Sequence, residues 1–377
     1  MLTVEKPSER PKDVWQRVSQ KLLYCTGEME HFHTSMQDQA FAVQLLEWTL
    51  RGVSGVIMVN NPVSGALILV ALSVASPWQG LLGSLGLLSS TVTAILIGEN
   101  RADISMGVHG YNGMLVALLI GVFSSAGDWY WWLLLPACIS GATTTFVSSG
   151  IVTVLERWDL PVSAFPFNTV LLLYLACIGT DNIFYPNHPV LPLGSPHGIN
   201  YTQLNIPQLL QGVVLGVGQI YACEALGSTL VILAAVLLYS PVLALHALLG
   251  SGIGILAGLS VAVQPDALYT GLAGFNGALG CMAIGGFFFT LSWKTHSLSI
   301  ICAFLSSFAD IALSNLLAHV GLPASSWAST LTITLMLLVK GRAISSYRIT
   351  NRQDNLPECP LQTPDQCAEA SPDNTLV

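Results

Sequence analysis

Long apolar runs alternate with short polar segments along the chain, and this pattern predicts an all-α protein with many membrane-spanning helices. A spanning helix needs about 20 mostly apolar residues. Runs that contribute to such helices include residues 66–76 with their neighbours, 80–98, 113–123, 129–152, 230–249 and 330–339 with their flank. We predict about ten spans, because ten helices of this size fit the length of the apolar region.

One stretch of the sequence occurs twice. Residues 107–115 read Gly-Val-His-Gly-Tyr-Asn-Gly-Met-Leu, and residues 271–279 read Gly-Leu-Ala-Gly-Phe-Asn-Gly-Ala-Leu, with five of nine positions identical. Nearly the same offset pairs Gly86 with Gly250 and the Leu-Pro at 160–161 with the Leu-Pro at 322–323. A repeat of about 160 residues is too long for a solenoid. In an apolar chain it indicates a transporter or channel built from two related halves.

Composition supports a membrane protein and argues against other classes. Hydrophobic residues make up 52% of the chain and charged residues 9%, with a mean hydropathy of +0.63. A soluble domain carries about 25% charged residues. The sequence has no basic stripe, phosphate loop, nucleophile elbow or zinc helix. The eight cysteines are scattered without a CxxC pair. We therefore expect no enzyme, cofactor, metal or nucleic-acid partner.

The basic residues predict the topology. Nine of the thirteen Lys and Arg residues lie before residue 22 or after residue 339. By the positive-inside rule, both ends should be cytoplasmic. A polar loop between the halves contains the glycosylation sequon that begins at Asn200, which indicates an external, glycosylated loop. If both termini are cytoplasmic and the loop between the halves is external, each half must cross the membrane an odd number of times. The two repeats should therefore be inverted, with about five spans each.

These observations divide the chain into five segments. We predict a cytoplasmic N-terminal segment at 1–39 and a first transmembrane repeat at 40–190. An extracellular linker at 191–206 leads to a second repeat at 207–340 and a disordered cytoplasmic tail at 341–377. The polar start predicts no cleavable signal peptide.

Apolar stretches are interrupted at matching positions of the two halves. Pro62 follows two asparagines inside an apolar run, where it should break a helix, whereas the equivalent stretch at 216–227 has Ala-Leu instead of Asn-Pro. Residues 160–168 and 322–328 form a second interrupted pair. Broken helices at membrane depth are tolerated where the backbone lines a cavity or is buried in protein. Such paired interruptions point to a permeation site.

Seven motifs occur in order along the chain: Val-Asn-Asn-Pro-Val-Ser-Gly at 59–65, Gly-Tyr-Asn-Gly at 110–113, Trp-Asp-Leu-Pro-Val at 158–162, Phe-Pro-Phe-Asn at 165–168, Gly-Val-Gly-Gln-Ile-Tyr at 216–221, Gly-Phe-Asn-Gly at 274–277 and Gly-Leu-Pro-Ala at 321–324. From about residue 40 to 339 the chain thereby resembles the urea transporter family. The resemblance implies inverted repeats with ten spans and two half-spanning helices per subunit. It also implies a homotrimer with one pore per subunit and passive, channel-like urea transport across the plasma membrane.

The chemistry of urea agrees with this resemblance. Urea is small, planar and neutral, so a selective pore should offer flat apolar slots and a file of hydrogen-bond acceptors. Apolar walls exclude ions, whose desolvation is not compensated there. The family's slots map to Tyr111 with Leu115 and to Phe275 with Leu279. Its acceptor ladder uses a Gln or Glu and a central threonine from each half, together with backbone carbonyls.

Several positions depart from the family pattern. Gln219 keeps the ladder residue of the second half, but the equivalent position of the first half is Gly55. Met58 stands where the family has an aromatic slot residue in the first half. The central threonines align with Ala164 and Ser326. Urea therefore remains one reading, and a channel of the same fold for water, ammonia or another small amide is the alternative.

An ion-coupled carrier is the third reading, because a carrier needs buried charges that face its solute. Only Glu224 and Asp310 qualify, and Glu224 is either functional or a neutral, hydrogen-bonded group.

The candidate pore residues are Gly55, Val56, Met58, Tyr111, Leu115, Ala164, Gln219, Ile220, Phe275, Leu279 and Ser326, and the pore-helix residues are Asn60, Asn61, Pro62 and Glu224.

Overall fold

A computed structural model describes residues 25–193, 204–339, 341 and 346–349. The sequon at Asn200 lies outside the described residues, as do most of the basic residues near the two ends. Helices dominate the described chain, and its only β-pairing is two isolated bridges. The predicted all-α class is confirmed.

The described part of the first half contains eight α-helices. They are α1 Glu30–Met36, α2 Phe41–Gly55, α3 Pro62–Ala75, α4 Pro77–Ile97, α5 Arg101–Ser105, α6 Gly110–Phe123, α7 Leu134–Leu155 and α8 Phe165–Ile178. Short 3-10 turns flank α7 at Trp131–Leu133 and Glu156–Trp158.

The described part of the second half contains seven α-helices in a matching order. They are α9 Ile206–Gly218, α10 Leu226–Tyr239, α11 Pro241–Ser260, α12 Pro265–Tyr269, α13 Phe275–Met282, α14 Trp293–Ala318 and α15 Trp327–Leu337. A 3-10 turn at Gln219–Tyr221 follows α9, and a π-helical turn at Ala283–Phe287 extends α13.

Equivalent sequence signals end and begin the equivalent helices. Ser76 and Ser240 each precede a proline, and each hydroxyl accepts a hydrogen bond at 3.3 Å from the backbone N–H three residues on. A serine N-cap accepts a hydrogen bond from an otherwise unpaired N–H group of the first turn. Proline at the first helical position fixes φ at a value that suits a helix. The long helices α4 and α11 therefore start in the same way.

Two glycines at equal positions let the backbone pass closely beside α2 in the first half and α9 in the second. Gly107 and Gly271 have φ of 74° and 79°. A Cβ atom on either one would lie 2.3 Å from a backbone nitrogen, that of Gly52 or that of Gly216. Only glycine fits both the left-handed conformation and the contact. This explains the first glycine of the repeated nine-residue stretch.

Membrane-spanning length is reached by four described helices, namely Pro77–Ile97, Trp131–Trp158, Pro241–Ser260 and Trp293–Ala318. Ile206–Tyr221 and Leu226–Tyr239 form one further apolar pair, bent by 76° at its break. Five other apolar helices are shorter, with 10–17 residues each. Length and composition alone therefore identify fewer spans than the predicted ten, because helices beside a break stop short of about 20 residues. The number of spans and their orientation stay predictions.

The two halves share one apolar core. A single buried cluster includes Val53 and Leu115 from the first half and Ile232 and Leu279 from the second. Helices α3 and α10 pack on each other, and the hydroxyl of Ser64 donates to the carbonyl of Ala235 at 2.7 Å. Neither half therefore buries its apolar surface alone.

Candidate solute pathway

The first break lies where the sequence predicts it, between the end of α2 at Gly55 and Pro62. Met58 has a φ of 59°, and the N–H of Val59 donates back to the carbonyl of Ser54 at 3.2 Å. A left-handed residue with this backward bond is a typical helix ending. Asn61 restarts the chain as a helix, because its Oδ1 accepts from the N–H of Ser64 at 2.9 Å.

The second break persists without the Asn-Pro pair. Ala222 has a φ of 52°, and the N–H of Cys223 donates to the carbonyl of Gly218 at 3.1 Å. The left-handed turn, rather than the proline, therefore ends the helix in both halves. Ala225 precedes α10 without a side-chain cap, so the loss of Asn-Pro removes a cap and leaves the break in place.

Gln219 lies in the second break and is 9% exposed. Its amide nitrogen donates to the carbonyl of Thr270 at 3.0 Å and lies 3.5 Å from Oε1 of Glu224. In this orientation Oε1 of Gln219 has no hydrogen-bond donor among the described residues. Glu224 is exposed, so it is not one of the buried charges that the sequence predicted.

Tyr111 and Phe275 occupy equal positions in the first turns of α6 and α13. Both are partly buried against the shared core, and Leu115 and Leu279, one turn further, are each 8% exposed. A Cβ atom on Gly55 would lie 3.6 Å from the Tyr111 ring. The structure thus brings Tyr111 to the first break. Helix α13 likewise packs on the turn at Gln219–Tyr221.

The other predicted residues of the breaks point into the protein. Val56 and Ile220 are 7% exposed, and Asn60, Asn61 and Pro62 are buried. Met58 packs between the shared core and a second apolar cluster that includes Phe288 and Met336. Met58 therefore supplies an apolar surface where the family has an aromatic face.

An asparagine in each half joins the slot helix to the second interrupted segment. Nδ2 of Asn112 donates to the carbonyl of Ser163 at 3.2 Å, and Nδ2 of Asn276 donates to that of Ser325 at 3.0 Å. Their Oδ1 atoms accept from the N–H groups of Phe167 and Ser329 at 3.1 and 3.2 Å. The two serines share a left-handed φ, 49° and 47°. Both asparagines were in the motifs, but the sequence did not indicate this role.

The predicted central residues Ala164 and Ser326 meet through a residue that the sequence reasoning missed. Asn168 is 1% exposed, and its Nδ2 donates to the carbonyl of Ala164 at 2.9 Å and to Oγ of Ser326 at 3.0 Å. Its Oδ1 accepts from the N–H of Ser326 at 3.2 Å. Beside this contact, the rings of Phe165 and Trp327 pack edge to face, 5.8 Å apart. One amide thus bridges the two halves at the centre.

A buried ion pair beside the first break was also missed. Nε of Arg51 donates to Oε1 of Glu47 at 2.7 Å, and these residues are 1% and 4% exposed. Nη1 of Arg51 donates to Oδ1 of Asn60 at 2.9 Å, and Nδ1 of His33 lies 2.8 Å from Glu47 Oε1. The carbonyl of Glu28 also accepts from Arg51 Nη1, at 3.0 Å. Opposite charges four residues apart in an apolar run were the available signal.

Asp310 and His246 are buried in spanning helices of the second half, each 2% exposed. Ser314 donates to Asp310 at 3.4 Å, which is a helix-internal contact. Nδ1 of His246 lies 2.8 Å from the carbonyl of Val242, and Nε2 lies 3.2 Å from Nδ1 of His296. Both groups thus have protein partners.

Comparison with known proteins identifies the family. A family model described as Urea transporter matches residues 46–341. Urea transporter 1 of Ovis aries is 40% identical over 343 residues, which cover 91% of this chain and 89% of that protein. Urea transporter 1 of Mus musculus is 41% identical over 326 residues, which cover 86% of this chain and 85% of that protein. The matched region contains both breaks, both slots and the central contact, and the chain therefore belongs to the urea transporter family.

Proposed function

We propose that the protein lets urea cross the membrane passively, down its gradient and without a coupling ion. Family membership over residues 46–341 carries this proposal. The paired slots support it, because Tyr111 with Leu115 and Phe275 with Leu279 offer flat apolar faces of the kind that suit a planar, neutral solute.

The second half carries the more complete solute site. Gln219 Oε1 accepts from an N–H of urea while Phe275 and Leu279 contact its flat face. The polar contact offsets the loss of water around the amide groups, and the apolar faces give no such compensation to an ion. Ser326 contributes a hydroxyl at the centre.

A second function is favoured by one observation, the loss of side chains at the first break. Gly55 leaves ordinary contact space beside the Tyr111 ring and supplies no side-chain acceptor, and Met58 supplies a flexible apolar surface. The first-half site should therefore discriminate less. The corresponding function is a channel of the same fold that passes water, ammonia or another small amide as well as urea, or in its place.

Flux measurements decide between these functions. Purified protein in liposomes is tested by stopped-flow for urea, water and ammonia side by side, with and without sodium and proton gradients. We expect a urea flux that does not depend on the sodium or proton gradient and that saturates only weakly with urea concentration. Accumulation of urea above equilibrium would contradict a passive channel, and water or ammonia flux without urea flux would favour the second function.

Residue changes locate the selective site. Gly55→Gln with Met58→Phe should raise urea selectivity over water, since a Cβ atom at position 55 lies at van der Waals distance from Tyr111. Gln219→Ala should lower urea flux more than Gly55→Ala or Met58→Ala. Equal losses from both halves would show that backbone carbonyls, rather than these side chains, select the solute.

We further propose a homotrimer in the lipid bilayer of the plasma membrane, with inverted repeats and both termini cytoplasmic. The proposed repeat boundaries stay at 40–190 and 207–340, supported by the start of α2 at Phe41 and the end of α15 at Leu337. Glycosidase treatment of wild type and Asn200→Gln tests the external loop. Labelling of residue 202 from the cytoplasmic side would overturn this topology.

A further inference from the structure

The carbonyls of Ser163 and Ser325 are equivalent acceptors in the two interrupted segments. Each belongs to a left-handed serine, and each accepts from the asparagine side chain of its own half, at 3.2 and 3.0 Å. Both serines are partly exposed. Carbonyls of such segments are the natural acceptors for a solute N–H, because the break removes their helical partners.

The two halves differ by one hydroxyl group. The hydroxyl of Tyr111 donates to the carbonyl of Ser163 at 2.7 Å. Phe275 has the equivalent position and no hydroxyl. Among the described residues, Asn276 is therefore the one side chain that donates to the carbonyl of Ser325.

A carbonyl oxygen has two lone pairs. At Ser163 both are used, one by Asn112 and one by Tyr111. At Ser325 one accepts from Asn276, and the described residues supply no donor for the other. The first half thus lacks the glutamine acceptor, at Gly55, and has its carbonyl acceptor filled by the protein itself.

We propose that the Tyr111 hydroxyl is a specificity-determining group that blocks the Ser163 carbonyl from the solute. A solute N–H binds the carbonyl of Ser325 in the second half, whereas in the first half it meets an aromatic face whose hydroxyl is turned to the protein. This inference rests on the proposed passage of an amide solute. It assigns the unequal selectivity of the two halves to the Tyr111–Phe275 difference in addition to the substitution at Gly55.

A reciprocal exchange of one oxygen atom tests the proposal. Tyr111→Phe frees the Ser163 carbonyl, and Phe275→Tyr offers a hydroxyl to the Ser325 carbonyl. Each variant keeps the ring, so the slot keeps its apolar face. Tyr130→Phe is the matched control, because the Tyr130 hydroxyl also donates to a backbone carbonyl, that of Phe184 at 2.8 Å, in an exposed contact.

The readout is the ratio of urea to water permeability in liposomes, together with the concentration of half-saturation. Tyr111→Phe should raise the ratio about fivefold and lower the half-saturation concentration, since one neutral hydrogen bond changes an equilibrium constant by about that factor. Phe275→Tyr should change both in the opposite direction, and Tyr130→Phe should match wild type. Thermal unfolding in detergent reports whether each variant is folded.

The possible outcomes separate this inference from the proposed function. A folded Tyr111→Phe with an unchanged or lowered ratio would overturn the inference and show that the hydroxyl only braces the segment. The same sign of change in Tyr111→Phe and Phe275→Tyr would also overturn it. Wild-type protein that passes no solute with an N–H donor would overturn the proposed function, and the inference with it.

Discussion

Removal of the Asn168 side chain should loosen the centre of the pathway and lower the stability of the protein. The side chain bridges the carbonyl of Ala164, at 2.9 Å, and the hydroxyl and N–H of Ser326, at 3.0 and 3.2 Å. In Asn168→Ala the N–H of Ser326 loses its side-chain acceptor while it stays buried. A buried donor without a partner costs about 1–3 kcal/mol, and a lost bond costs about 1 kcal/mol. We expect a loss of about 2–4 kcal/mol.

The same change should relax size selection. Asn168→Ala opens space between Ala164 and Ser326, so methylurea should gain permeability relative to urea. Asn168→Asp keeps the Oδ1 acceptor for the Ser326 N–H, and its neutral carboxyl offers one O–H donor in place of the two amide N–H donors, so it should lie between Asn168→Ala and wild type in stability. Thr334→Ala is the control on α15, because the Thr334 hydroxyl donates only within its helix, to the carbonyl of Thr330 at 2.7 Å.

Two measurements check this prediction. Thermal unfolding in detergent gives the stability of Asn168→Ala, Ser326→Ala and the double variant, and stopped-flow flux gives the methylurea-to-urea ratio. Contacting residues should show a coupling free energy of about 0.5–3 kcal/mol, whereas independent residues add to within about 0.5 kcal/mol. Additive losses together with an unchanged ratio would refute the role of Asn168 in holding Ala164 and Ser326 together and in size selection.

Two further predictions concern the first half. Glu47→Gln should destabilise the protein by about 3–5 kcal/mol, because it leaves the buried Arg51 charge without its partner. The double variant Glu47→Gln with Arg51→Met should recover part of that loss in thermal unfolding. Recovery of nothing would show that the pair is not coupled. Gly107→Ala should prevent correct folding or cost several kcal/mol, because the position has a positive φ and the new Cβ would collide with the backbone. Gly150→Ala is the control, because no atom lies within 4 Å of its new Cβ, and it should be neutral or stabilising. Size-exclusion profiles and thermal unfolding measure both variants.

The features predictable from the sequence are those that backbone geometry imposes locally. Gly107 and Gly271 recur because both positions need a positive φ and a close backbone contact. Pro62 marks a break because proline removes a hydrogen bond from a helix interior. Such requirements act on single residues, so a repeat of about 160 residues preserves them and a sequence comparison of the two halves detects them.

Contacts between distant segments were not predictable in this way. The bond from Asn168 to Ser326 and the bond from Tyr111 to Ser163 join residues far apart in sequence, and neither leaves a periodic pattern. The second break illustrates the reverse case. It has Ala-Leu where the first break has Asn-Pro, yet the left-handed Ala222 ends the helix without proline.

The polar groups that a solute can use are those that the fold leaves unpaired. Each interrupted segment has carbonyls outside a helix, and the protein satisfies several of them with its own side chains because buried unpaired groups are costly. Asn112, Asn276 and Asn168 perform this task on both sides of the centre. What distinguishes the halves is therefore how many acceptors remain after the fold is satisfied. Among the described residues, the second half keeps Gln219 Oε1 and one lone pair at Ser325. In the first half Gly55 supplies none and Tyr111 fills the carbonyl, so selectivity between amides should be set mainly in the second half.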